Sequence, residues 1–345
     1  MRKENALILV VTEPSDRTAN QVIAKLKARG ADVARFDPAD FPSRASMSVA
    51  LDARGGQTVT LTQAGERIAL HELGALWYRR PHAPVPHAEV DEAHRGYLEA
   101  ECAHWMWDIW NLLPCRIVPA TPSVIARADL KAAQLAIAGA VGFELPPTLV
   151  SNDPDEFLDF YRRHQGRVIS KAPSTLFNNH FGGALARYTE PVDRFELGHA
   201  QSIRFGPVIF QAYVPKRIEL RITIVGRRVF AAEIHSQQSQ RARHDWRHYD
   251  LANTPHARHC LPAEIEQCCL LLVQRLGLCY GAIDMIVTPE GRYVFLEINP
   301  NGQYQWIEHL TGLPISEAMC DLLMAHEPRH PLPSPAPADC MGACA

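Results

Sequence analysis

Ala6 to Val11 is an unbroken apolar run, the pattern of a strand buried on both faces. Asn20 to Arg29 then carries Val22, Ile23 and Leu26 at helical spacing and stops at Gly30, and Ala31 to Phe36 returns to strand composition. This strand–helix–strand opening predicts a small parallel α/β domain. No glycine-rich loop follows the first strand, so no dinucleotide site is expected there. The pattern next predicts a hairpin, Ser48 to Leu51 with Thr58 to Leu61 around Gly55-Gly56, and a strand from Ala75 to Tyr78 that runs into Arg79-Arg80-Pro81. A tryptophan-bearing helix at Tyr97 to Leu112 and a short strand at Arg116 to Val118 complete this part.

A second unit opens near Pro122. It reads as one helix over Ser123 to Gly139, a strand at Thr148 to Val150, a helix at Glu156 to Arg163 and a strand at Val168 to Lys171, followed by a long polar loop to Gly183. A third unit begins near Gly206, with strands at Val208 to Tyr213, Glu219 to Val225 and Arg228 to Ile234. A polar His/Arg/Gln segment, His235 to His259, precedes a helix at Leu261 to Leu276, a hairpin, and a last helix at Ile315 to Ala325. The expected division is therefore 1–121, 122–205 and 206–326, with a proline-rich, disordered tail at 327–345.

The hairpin carries the sharpest chemical signal. Ala282 to Val287 is apolar except for Asp284, Thr288-Pro289-Glu290-Gly291 is a turn by composition, and Tyr293 to Ile298 is apolar except for Glu297, with Asn299 next. Bare carboxylates inside apolar strands cost several kcal/mol unless something pairs them. On neighbouring strands they face one another, and with the Asn299 amide they form an all-oxygen set suited to a hard cation such as Mg²⁺. A Mg²⁺ that keeps open positions is the usual partner of a nucleotide. The bland alternative is a hairpin with two incidental acids.

Composition narrows the class rather than the chemistry. The 345 residues are 47% hydrophobic and 21% charged, ordinary for a globular enzyme, and the net charge of −3 gives no reason to expect nucleic acid as a partner. The nine cysteines lack zinc-site spacing and read as reduced thiols of a cytosolic protein. The apolar run after Arg2-Lys3 is too short for a signal peptide, and no stretch is long enough to span a membrane.

Several single residues carry two readings each. Lys171, at the end of VISK and before Gly182-Gly183, is placed to hold nucleotide phosphates, or is a solvated strand end. Lys131, in KAAQLAIAGAVG, lies near a helix start, or on a solvated face. Gln211-Ala212-Tyr213-Val214 leaves a strand at Pro215 and can offer backbone groups to an adenine edge, with Glu219 accepting from ribose hydroxyls, or it is a plain strand exit. Arg221 alternates with Ile222 and Ile224, and Arg247 sits in His244-Asp245-Trp246-Arg247; both suit charge developing on a phosphoryl group, and each taken alone reads first as a surface residue. His244 and His248 have helical spacing, a metal-ligand geometry that also fits a polar loop.

Taken together these segments resemble the ATP-grasp superfamily, and within it the ribosomal-peptide maturases that make graspetides of the microviridin type. The likeness is carried by WYRRP from Trp77, KAAQLA from Lys131, VISK ending at Lys171, VIFQAYVPKRIELRITIVG from Val208, HDWRHYD from His244 and GAIDMIVTPEGRYVFLEINPNGQYQWIE from Gly281, and it extends to about residue 325. The resemblance implies an α/β ATP-grasp fold behind an N-terminal parallel α/β (pre-ATP-grasp) domain. It implies ATP and Mg²⁺ as cofactors: Lys131 and Lys171 on phosphates, Gln211, Ala212, Tyr213 and Val214 on adenine with Leu296 lining the same site, and Glu219 on ribose. Asp284, Glu297 and Asn299 would hold Mg²⁺, and Arg221 and Arg247 would steady the γ-phosphate and the acyl phosphate. The implied activity is ester or amide cross-linking between side chains of a precursor peptide with leader and core segments. Arg79 and Arg80 are candidates for the incoming carboxylate, with a structural ion pair as the competing reading. The region of Glu156 to Arg163 and Phe177 to His180 is the expected leader surface. The tryptophan helix (Trp105, Trp107, Trp110) is read as core, with a homodimer face as the alternative. An amino-acid or glutamate ligase on a small molecule or protein terminus shares the nucleotide residues, and a non-catalytic nucleotide-binding protein is the reading from another class.

Overall fold

The computed structural model describes residues 6–171, 189–239 and 253–325. In chain order the elements begin with β1 (Ile8–Thr12), α1 (Arg17–Ala28), β2 (Val33–Phe36), β3 (Ala45–Leu51), β4 (Gln57–Gln63), β5 (Glu66–Ala69), β6 (Ala75–Arg80), α2 (Glu92–Leu112) and β7 (Arg116–Val118). There follow α3 (Pro122–Ala128), α4 (Lys131–Ala140), β8 (Thr148–Ser151), α5 (Pro154–Arg163), β9 (Val168–Lys171), β10 (Glu190–Pro191), α6 (Arg194–Gly198) and β11 (Val208–Ala212). The chain ends with β12 (Ile218–Val225), β13 (Arg228–Ile234), β14 (His256–His259), α7 (Ala263–Leu276), β15 (Tyr280–Val287), β16 (Tyr293–Asn299), α8 (Gln305–Thr311) and α9 (Ile315–Met324).

The described residues divide into two compact units, 6–16 with 26–121 and 323–325, and 17–25 with 122–322. In the first, a parallel sheet runs β2-β1-β6-β7, and β3-β4-β5 form an antiparallel sheet. Every residue of β1 is buried, as its apolar run predicts. The core gathers Leu9, Phe36, Leu61 and Leu76 with Met106, Ile109 and Trp110 of α2; Trp105 is partly buried against it and Trp107 is exposed.

The second unit holds two antiparallel sheets, β10-β9-β11-β8 and β14-β13-β12-β15-β16. The four-stranded sheet buries Val168 and Phe210 against Phe157 and Phe160 of α5, with Leu149 partly buried beside them. α5 starts where the Asp153 carboxylate caps the amides of Asp155 and Glu156, with Pro154 in its first turn. In the five-stranded sheet β12 and β15 are buried along their whole length. α7 supplies Cys269, Leu272, Val273 and Leu276 and closes on Gly277 in the left-handed conformation, φ 75°.

Two expectations need correction here. The predicted single helix over Ser123 to Gly139 is two helices, because Leu130 takes an extended backbone (φ −69°, ψ 104°) and breaks it. Lys131 begins α4, at the start of the KAAQLA run. The polar segment His235 to His259 also contains an edge strand, β14, paired with β13.

Candidate active site

The register of the five-stranded sheet decides which side chains share a face. Arg221 lies opposite Asp284 across β12–β15, and Asp284 opposite Glu297 across β15–β16; Thr223 faces Ala282, and Ala282 faces Asn299. Side chains of directly opposed residues project to the same side. Glu219, Arg221, Asp284, Glu297 and Asn299 therefore stand on one face, while Leu220, Ile222, Ile283 and Met285 occupy the other. A bulge follows: Glu297 opposes Asp284 but Phe295 opposes the adjacent Met285, so Leu296 is the extra residue. A bulge re-aims the side chains beside it.

These groups are tied together. Arg221 Nη1 donates to both oxygens of Asp284 at 2.9 Å, and Arg221 Nη2 donates to the Gln303 carbonyl at 3.1 Å. The Asn299 amide donates to Asp284 Oδ2 at 3.2 Å. Lys131 Nζ lies 3.0 Å from Glu297 Oε2 and 3.4 Å from Asp129. Burial works against charge on both cations, yet Glu297 and Asp129 raise the Lys131 pKa above its ordinary value, and Asp284 does the same for Arg221. The buried Asp284 and the partly buried Glu297 thus have the partners their positions demanded.

Gln211, Ile169 and Lys171 share the face of the four-stranded sheet opposite its helix core, since Gln211 faces Ile169 and Ile209 faces Lys171. Gln211 is buried, its Nε2 donates to Thr148 Oγ1 at 2.9 Å, and its Oε1 is buried with no hydrogen-bond partner among the described residues. In the linker that follows, the Ala212 amide donates to Pro147 and the Tyr213 amide to Arg167, both at 2.9 Å. The Val214 amide is thus the linker N–H, among the described residues, left for a ligand edge. Glu219, at the other end of the linker, is buried and pairs with Lys216 at 2.9 Å.

The donor chemistry fits a hard divalent cation. Two carboxylates and an amide oxygen on one face leave coordination positions for water and phosphate, as Mg²⁺ requires. Among the described residues no group of three or more His, Cys, Asp and Glu forms a denser metal cage. The face itself is balanced, Asp284 and Glu297 against Lys131 and Arg221 and Glu219 against Lys216, so added phosphate charge calls for added cations. The orphaned Gln211 oxygen fits an N–H donor such as a base amino group.

Arg79 and Arg80 part company. Arg79 is 1% exposed, with Nε 3.4 Å from Asp16, and is an interior ion pair of the first unit, whereas Arg80 is exposed at the end of β6. Alternation along a strand sends adjacent residues to opposite sides, so the ion-pair alternative describes Arg79 and leaves Arg80 as the substrate candidate. Arg247, the His244/His248 pair, the Phe177 to His180 loop and Gly182-Gly183 lie outside the described residues.

A family model, the MvdD pre-ATP grasp domain, matches residues 7–123. Among solved structures, a Chryseobacterium gregarium RiPP-associated ATP-grasp ligase, determined with ADP and a leader and core peptide, is 32% identical over 94% of this chain and 98% of its own, with a TM-score of 0.85. This chain belongs to the graspetide maturases, the RiPP-associated ATP-grasp ligases. The macrocyclase MdnC of Microcystis aeruginosa, solved with its precursor peptide MdnA, is 30% identical (92% of this chain, 99% of that one, TM-score 0.81). MdnB of the same organism is 29% identical over the same shares, with a TM-score of 0.74. No curated protein sequence matches the chain.

The maturase also uses residues that sequence patterning did not single out. Gln134, buried on α4 one turn after Lys131, clamps β16: its Nε2 donates to the Ile298 carbonyl at 2.9 Å and its Oε1 accepts from the Ile298 amide at 3.3 Å. That fixes the backbone between Glu297 and Asn299. The segment after β16 straps over Arg221: Gly302 donates to the Asn299 carbonyl at 3.1 Å, and the Tyr280 hydroxyl donates to the Gly302 carbonyl. A Cβ on Gly302 would lie 2.7 Å from Arg221 Nη2, so only glycine fits this approach. The tyrosine's length and the glycine in NPNGQ were the available signals, but neither reveals its partner.

Proposed function

We propose that this protein is an ADP-forming ligase that joins an Asp or Glu side chain of a ribosomal precursor peptide to a Ser or Thr hydroxyl or a Lys amine. The observation that carries this reading is the single face holding Asp284, Glu297 and Asn299 between Lys131 and Arg221. The solved relatives with ADP and with leader, core or precursor peptide supply the substrate class. In this reading residues 122–205 and 206–326 act as the two halves of the grasp, behind an N-terminal domain of residues 1–121.

Asp284, Glu297 and Asn299 would hold Mg²⁺, which supplies charge neutralisation at the phosphates. Lys131 and Lys171 bind phosphate oxygens, and Arg221, locked by Asp284 and Gln303, stabilises charge on the transferring group together with Arg247. The Gln211 to Val214 linker holds the adenine edge, Leu296 lies against the base and Glu219 accepts from the ribose. The peptide carboxylate attacks the γ-phosphorus of ATP and ADP leaves; the hydroxyl or amine then displaces phosphate from the acyl carbon. Arg80 is the exposed arginine available to a peptide carboxylate.

The leader surface belongs on the four-stranded half, where a cleft of about 440 Å³ is lined by Phe157, Phe195, His199 and Phe210, and where Phe195 and Phe205 are exposed. Self-association through α2, where Tyr97 and Trp107 are exposed, and a cytosolic setting are part of the same proposal. Nucleic acid and membrane are not among the proposed partners; among the described residues no helix is long and apolar enough to cross a bilayer. Purified protein with precursor peptide, ATP and Mg²⁺ tests the reading: one phosphate released per water lost from the peptide is expected, and phosphate release with an unchanged peptide mass would overturn it.

A further inference from the structure

We propose that Lys216 is a positioning residue that holds the Glu219 carboxylate for the ribose and thereby sets the selectivity for a ribonucleotide. The inference rests on the nucleotide reading of this face and deepens it.

Lysine is rarely buried unless it is paired. Lys216 follows Pro215 in the coil between the adenine linker and β12, a place where a lysine ordinarily points to water. Instead its side chain is 4% exposed and its Nζ lies 2.9 Å from Glu219 Oε1, whose side chain is 7% exposed. The coil is pinned at the next residue, where the Arg217 amide donates to the Val287 carbonyl at 2.8 Å. Glu219 then enters β12 opposite Ile286, on the face that carries Arg221 and Asp284. The pair thus stands between the linker and the carboxylate cluster, where the sugar of a nucleotide spanning the two would lie.

A carboxylate has about four acceptor positions, so an ammonium ion-paired to Oε1 does not by itself exhaust its capacity to accept from hydroxyls. The ammonium does two things for such a site. It compensates the buried charge, and it fixes the carboxylate rotamer before the ligand arrives, so that binding does not have to order it. Lys216 has three donors and no acceptor, so it can orient Glu219 without competing for the hydroxyl protons.

The test is calorimetric binding of ADP and of 2′,3′-dideoxy-ADP, with Mg²⁺, to the full-length wild type and to Lys216→Met, Lys216→Arg and Glu219→Gln. Wild type should prefer ADP by about tenfold or more, the worth of a charge-assisted hydrogen bond. Lys216→Met should lose most of that preference by weakening ADP while leaving the dideoxy ligand within about threefold. Glu219→Gln should behave in the same way, and Lys216→Arg should retain the preference. The ratio is taken within each variant, so partial loss of folded protein does not alter it. A Lys216→Met variant that weakens both ligands equally shows a structural ion pair and overturns the proposal. A wild type that binds ADP without ribose preference overturns it too, leaving the nucleotide reading intact. A wild type that binds neither ligand removes both.

Discussion

The two acidic residues of the proposed metal face are not equivalent to the fold, and the difference is measurable. In Asp284→Ala the Arg221 guanidinium keeps its buried position and its bond to the Gln303 carbonyl, but loses the two hydrogen bonds and the opposite charge of Asp284. Removing one partner of a buried ion pair costs about 3–5 kcal/mol. At about 2–4 °C per kcal/mol for a unit of 150–250 residues, the midpoint should fall by roughly 6–20 °C, with the surviving carbonyl contact favouring the lower half. In Glu297→Ala the partner is Lys131, which retains Asp129 at 3.4 Å and has a flexible stem that can reach water, so the fall should be under about 4 °C. The assay is thermal unfolding of nucleotide-free protein in chelator. The double variant Asp284→Ala/Arg221→Met, which removes both charges, should recover most of the loss. Equal midpoints for Asp284→Ala and wild type, or an equal fall in Glu297→Ala, would refute this account of how the cluster is balanced.

Gly302→Ala places a Cβ 2.4 Å from that of Ala282 as well as against Arg221, so the strap must move; turnover should drop at least tenfold while stability falls by about 1–3 kcal/mol, read by kinetics and by urea unfolding. Arg79→Ala should destabilise the protein by leaving Asp16 buried without it, whereas Arg80→Ala should raise KM for the peptide and leave ADP affinity within about twofold, as calorimetry would show. Burial holds the His256 pKa below its ordinary 6.5, so the unfolded chain takes the proton more readily and stability is lost as pH falls through and below 6.5. His256→Gln should flatten the pH dependence of the unfolding midpoint between about pH 7.5 and about pH 5.5. At Glu233 burial opposes ionisation, but His259 and His235 win and hold its pKa below 4.5, so its contribution is lost only at more acid pH.

The shared face of Asp284 and Glu297 was legible because an acid in an apolar strand is costly, and a costly residue announces that something pairs it. What pairs it was not legible. Arg221 was expected to project towards phosphate, and it does share the face, but its bond to Asp284 depends on a register that period-two alternation does not set. The bulge at Leu296 was invisible for the same reason, since one extra residue leaves the apolar composition unchanged. The break before Lys131 escaped notice because neither glycine nor proline marks it, and both flanking segments are good helix formers. β14 was hidden in a polar stretch because an edge strand need not be apolar. Gln134 looked like any polar residue of an amphipathic helix; its role exists only once α4 lies on β16.

The central claim, ATP-dependent cross-linking at this face, is tested most directly by co-expressing the protein with a precursor peptide that carries leader and core segments and weighing the peptide. Wild type should give a product lighter by one or more waters, and Glu297→Ala, folded by circular dichroism, should give the unmodified mass. An unmodified peptide from wild type, or the same water loss from Glu297→Ala, would contradict the account.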